Sequence, residues 1–165
     1  MNRGQIFSTD ALLALIVFTL IIGLTLGILG QIQSTGENVK RNADRTAVTE
    51  QVLLLLLSSS GSPRNWESYS DRNEVKMIGL MNESGEMSLA KWSSFIDWNA
   101  TDYSSLKSSL GIPDQNFYIT LSDLNFNILS KAGTAPIDIN KVSALTLPSI
   151  YQGKMVMVQL QVYQR

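Results

Sequence analysis

Residues 1–30 read MNRGQIFSTDALLALIVFTLIIGLTLGILG, and residues 11–30 of that stretch carry no charge. Twenty helical residues at about 1.5 Å each extend about 30 Å, the thickness of a bilayer hydrocarbon core. The apolar part of a secretory signal is shorter, about 7–15 residues, and ends at a small-residue cleavage site. Leu29-Gly30-Gln31-Ile32 is not such a site, so the stretch is expected to stay in the mature protein. It is also apolar on every face, unlike the one-sided helix of a soluble domain. The remaining sequence is polar to mixed and would form one modest domain.

Charge sets the expected orientation. Arg3 and the amino group precede the apolar run, and the next basic residues are Lys40 and Arg41. The positive-inside bias then places the N-terminus in the cytoplasm and the rest of the chain outside. Within the run, Thr19, Gly23 and Gly27 recur every four residues and share a helix face. Gly23 to Gly27 is a GxxxG, whose small residues let a second helix approach closely. Glycine is also simply common in membrane helices, and both readings stand. Asp10 at the edge of the run is harmless if it stays in the interface. In a first helical turn it would face the positive end of the dipole, with Ser8 or Thr9 as N-cap.

Arg3-Gly4-Gln5, an acid a few residues later and a long apolar helix resemble the class III signal peptide of archaeal type IV pilins and pilin-like proteins. The family pattern after the cut is Gln-x-Ser-x-Glu. Here Gln5 is followed by Ser8 and Asp10, each displaced by one residue, with Asp in place of Glu. The resemblance implies that a prepilin peptidase cuts between Gly4 and Gln5. It also implies that the helix is retained as a filament core, in contact with other pilin subunits. Asp10 would then neutralise the amino terminus of a neighbouring subunit, with Thr19, Gly23 and Gly27 on an assembly face.

The layout expected from this reading is a leader at 1–4, a transmembrane or filament-core helix at 5–30, an amphipathic continuation at 31–60 and a head domain at 61–165. Gly36 marks a place where the helix could kink or melt. Val39, Ala43, Ala47 (or Val48) and Val52 resume a helical period. Val52 to Leu57 is too short to cross a bilayer. Its five successive leucines cannot all face one side of a helix, so some meet the head domain and others either the same domain or a second subunit. Ser58-Ser59-Ser60-Gly61-Ser62-Pro63 ends the helix, and Trp66 beyond it is expected to pack.

In the head, Glu74–Met81 reads as a strand before an Asn-Glu-Ser-Gly turn. Residues 88–98 read as a helix capped by Ser88, with Leu89, Trp92, Phe95 and Ile96 on its apolar face. Residues 102–110 read as a second short helix, closed by Gly111 and Pro113. Strands are expected at 116–121, 126–129, 141–147 and 154–163, with a tight turn at 122–125. In the last strand Val156, Val158, Leu160 and Val162 alternate with Gln159 and Gln161. Together these predict an α+β fold: a long N-terminal helix followed by a small head with a mostly antiparallel sheet.

Composition narrows the chemistry. The chain has 13 basic and 14 acidic residues, no histidine and no cysteine. A balanced charge with no basic patch argues against nucleic acid as a partner. Without histidine or cysteine, the commonest general base, metal ligand and thiolate nucleophile are missing. No serine here has a histidine to activate it. The carboxylates Asp97, Asp102, Asp114, Asp123 and Asp138 form no recognisable pair or metal loop. No enzymatic activity, metal or cofactor is expected. Two sequons, Asn82-Glu83-Ser84 and Asn99-Ala100-Thr101, fall in predicted turns and are candidate N-glycosylation sites. Two functions fit: a pilin-like filament subunit, or a single-span membrane-anchored surface module that binds a partner and never polymerises.

Overall fold

The computed structural model describes residues 3–138 and 141–164, with the backbone alone for residues 3–8 and 32–38. Helix α1 runs Arg3–Ser58. No proline interrupts it, the first in the chain being Pro63. The helix continues unbroken through residues 31–37, so the local melting expected near Gly36 does not occur. The chain forms two compact units, Met1–Arg41 and Asn42–Arg165.

The second unit holds the last turns of α1, helix α2 (Leu89–Thr101), helix α3 (Tyr103–Ser109) and four strands. These are β1 (Asn116–Ser122), β2 (Ile128–Gly133), β3 (Val142–Tyr151) and β4 (Lys154–Tyr163), in the spatial order β2-β1-β4-β3. All three pairings are antiparallel, and the fold is α+β. Alternation assigns the two faces of the sheet. Ile119 pairs with Leu160 and Leu121 with Val158, and all four are fully buried. The other face carries Tyr118 opposite Gln161 and Thr120 opposite Gln159.

The core joins Val52, Leu53 and Leu56 of α1 to Trp92, Phe95 and Trp98 of α2 and to the inner face of β1 and β4. Phe95 stacks on Trp92 at 5.8 Å and meets Phe117 at a tilt of 57° and 5.9 Å. Burying one such side chain contributes about 1.5–3 kcal/mol. In the leucine run, Leu53 and Leu56 reach this core while Leu54 stays exposed. Ser88 caps α2 by accepting from Lys91 N–H, and Asp102 caps α3 by accepting from Ser105 N–H at 2.9 Å.

Three expectations are corrected. Residues 74–81 do not form a strand of the sheet. Ile78 and Leu80 are fully buried, but the backbone bonds of the segment go to the end of α1 and the chain leaving it: Lys76 and Met77 N–H to Ser62 O, and Leu80 N–H to Leu56 O. Strand β2 starts at Ile128, not 126, because residues 123–127 form a five-residue turn in which Phe126 has φ +63. Strand β3 continues past 147 through Pro148 to Tyr151. It is an edge strand, where a proline removes no ladder bond that the sheet needs.

Candidate functional site

Thr9–Gln31 is the one stretch among the described residues long and apolar enough to cross a membrane, and none of it is buried. Leu13 and Leu24 are 67% and 68% exposed. Such a surface is costly in water and neutral in lipid or against other apolar helices. A side chain's first methyl added at Gly23 or Gly27 would meet nothing within 4 Å. That face is therefore bare, with room for a close neighbour. Thr19 donates its hydroxyl to Leu15 O and, at 3.3 Å, to Ile16 O. Thr25 donates to Ile21 O at 2.8 Å. Both hydroxyls are satisfied inside their own helix, as a non-aqueous medium requires.

Asp10 is exposed, and no ion pair engages it among the described residues. Because α1 starts at Arg3, Asp10 lies about two turns inside the helix. It is not a first-turn acid, and Thr9 is not an N-cap. For Gly4, Gln5 and Ser8 the backbone alone is described, within α1. Thr19, Gly23 and Gly27 fall on one face, as their spacing requires.

The two sequons part company in the head. Asn82 is exposed and opens a loop. Its backbone N–H donates to Glu86 O, and its Oδ1 accepts from Ser84 N–H at 3.0 Å, Ser84 Oγ at 2.8 Å and Glu86 N–H at 2.9 Å. Asn99 is not in a turn, which corrects the sequence expectation. It sits in α2, half-buried, and its Oδ1 accepts the backbone N–H of Gly133 at 3.0 Å. Gly133 has φ +88, and a Cβ there would run into Phe117 O. Asn99 thus satisfies a backbone donor at a point where only glycine fits.

Two features escaped sequence reasoning. Lys91 is 4% exposed, and its Nζ donates to Ser60 O at 2.6 Å and Met81 O at 3.0 Å. It ties the chain leaving α1 to the loop that carries Asn82. Burial pushes its ammonium below the ordinary lysine range, and the Glu67 carboxylate opposes that shift. Nothing local marks a lysine in the first turn of a helix as a donor to these carbonyls, since both partners are distant in sequence. The second feature is the bonding inside the turn 123–127, a turn expected at 122–125 but without these partners. Asp123 accepts from Asn125 N–H at 2.8 Å, Asn127 N–H at 2.9 Å and Asn127 Nδ2 at 2.9 Å. These bonds, the Asn127 amide first, hold its carboxyl below the usual range. The turn presents Leu124 and Phe126, which are 58% and 75% exposed. Its signal was the Asp-x-Asn-x-Asn spacing, an Asx-turn pattern.

Beside this turn, Tyr118, Thr120, Thr146, Gln159 and Gln161 line a shallow cavity of about 250 Å³ on the outer face of the sheet. Gln159 donates to Thr146 Oγ1 at 3.2 Å, and Gln161 donates to Gln159 Oε1 at 2.9 Å. The Gln159–Gln161 bond runs along β4, and the Gln159–Thr146 bond crosses to β3. Among the described residues no three His, Cys, Asp or Glu side chains cluster as metal ligands.

The molecule is thus an α+β protein with an N-terminal apolar helix long enough to span a membrane. Comparison with protein-family models, with curated proteins and with solved structures finds no match to the chain.

Proposed function

We propose that the chain is a pilin-like structural subunit of a type IV pilus-like surface filament of the archaeal kind. It enters the membrane with its N-terminus inside and its head outside. A prepilin peptidase removes residues 1–4 after Gly4. The helix starting at Gln5 then exchanges lipid neighbours for the helices of other subunits, and the head faces the medium.

One observation carries this reading. None of the residues of Thr9–Gln31 is buried, while residues 42–165 close a core of their own. A greasy rod attached to a finished domain needs an external apolar partner. Lipid and sister helices both qualify, and the bare Gly23–Gly27 face supports the second. Asp10 supplies a carboxylate at the edge of the rod for a partner amino group. Removal of Arg3 with the leader would leave residues 5–30 with no basic side chain.

Mass spectrometry of the native N-terminus tests the reading. The expected mature chain begins at Gln5 and is recovered both from membranes and from sheared surface filaments. A mature chain that keeps Met1 or Asn2 and stays in the membrane when filaments are sheared off overturns it. That result leaves a single-span anchored surface module.

A further inference from the structure

We propose that Asn82, and not Asn99, is a glycan acceptor on the head, taking an oligosaccharide from a lipid-linked donor. The inference rests on the reading above that residues beyond the span lie outside the membrane. Both sites carry the Asn-x-Ser/Thr pattern, so sequence alone ranks them equally. Their backbones do not.

For transfer, the enzyme must reach the amide nitrogen and read the hydroxyl two residues on, at the same time. At Asn82 the two groups already converge. Ser84 N–H and Ser84 Oγ both donate to Asn82 Oδ1. The carbonyl oxygen is held by the loop, and among the described residues no hydrogen bond engages Nδ2. The side chain is exposed and borders an open cleft of about 610 Å³, shared with Ser60, Arg64 and Gly85, which leaves room for a first sugar.

At Asn99 the same three residues are helical. Side chains at i and i+2 on a helix do not face each other. The Thr101 hydroxyl instead donates to Asp97 O at 2.9 Å and Trp98 O at 3.3 Å. Asn99 itself is half-buried against Gly133 N–H. Reaching it would require unwinding the end of α2 and leaving the Gly133 donor unpaired.

The step balances simply. Asn82 Nδ2 forms a bond to the anomeric carbon of the donor sugar, and the bond from that carbon to the lipid phosphate oxygen breaks. The lipid phosphate leaves with the electron pair, and one amide proton passes to a base of the transferase.

Trypsin separates the two sites, since cleavage after Lys76, Lys91 and Lys107 gives peptides 77–91 and 92–107. In protein from native membranes, peptide 77–91 is expected to carry added hexose-type mass and 92–107 none. Ser84→Ala keeps the backbone bond to Asn82 Oδ1 and is expected to reduce the modified fraction to background, as is Asn82→Gln. Asn99→Gln leaves it unchanged. A glycan on 92–107 overturns the proposal. So does a bare 77–91 in cells where a membrane-impermeant amine reagent labels the exposed Lys131 and Lys154, and in that case the outside placement of the head survives. A bare 77–91 with both lysines unlabelled on intact cells, but labelled after lysis, overturns the placement and the proposal together.

Discussion

Residues 9–31 and residues 42–165 treat apolar side chains by opposite rules. In residues 9–31 the leucines are at least half exposed, and in the head Trp66, Phe95 and Leu160 are fully buried. The head completes its core with its own helices and sheet, so its stability is set within the chain. The span completes nothing, so its free energy is set by whatever medium surrounds it. The largest expected effect follows from this contrast. Phe95→Ala opens a cavity between Trp92 and Phe117 and should lower head stability by about 3–5 kcal/mol. Leu20→Ala should leave it within about 0.5 kcal/mol of the parent. Denaturant unfolding of the full chain in detergent, followed by tryptophan emission, measures both. The chain's three tryptophans, Trp66, Trp92 and Trp98, are all buried in the head. Loss of head stability in Leu20→Ala would break the comparison.

A smaller effect sharpens it through two glycines. At Gly79 an added Cβ would collide with Ser59 O, Ser59 Oγ and Gly61 N, because two stretches of backbone pass within touching distance there. Gly79→Ala forces a backbone shift and should cost about 1–3 kcal/mol of head stability. At Gly27 the same methyl meets open space. Gly27→Ala should leave the head transition unmoved and favour the helix by roughly 1 kcal/mol. If sister helices use the Gly23–Gly27 face, this variant should still reduce the protein recovered in sheared filaments. Equal filament yield in Gly27→Ala would assign that glycine to membrane-helix composition alone.

The long apolar helix was legible because twenty uncharged residues constrain a chain whatever lies around it. Helix α2 was legible from the spacing of Trp92 and Phe95 and from Ser88. Strand β4 was legible from Val156, Val158, Leu160 and Val162 alternating with glutamines. These are local periods that the chain's own geometry imposes. Residues 74–81 were misread because β-like composition does not say what the backbone will pair with. Here the partner is the end of α1 and the chain leaving it, not another strand. Asn99 was misread because its meaning depends on Gly133, 34 residues away. Lys91 was passed over because its ligand Ser60 O lies 31 residues back. What sequence withheld was in each case the far end of a hydrogen bond.

The smallest expected effect probes an exposed turn of the head. Asp123 titrates on an exposed turn, and its carboxylate accepts three hydrogen bonds there. Those bonds place its folded pKa below the unfolded value of about 3.9. Between the two values the unfolded turn binds more protons than the folded one, so the stability of the turn rises with pH. The contribution is fully present above the unfolded pKa and is lost as pH falls through the lowered folded one. Hydrogen-exchange protection of the Asn125 and Asn127 amides should drop across that window, and Asp123→Asn should remove the pH dependence. Residues 11–30 hold no titratable side chain, so acid gives the span nothing to respond with. The core amides of Phe95 and Leu160 should keep their protection while the turn loosens. If they lost it over the same window, the turn would be cooperative with the core, and the head would respond to acid as one unit.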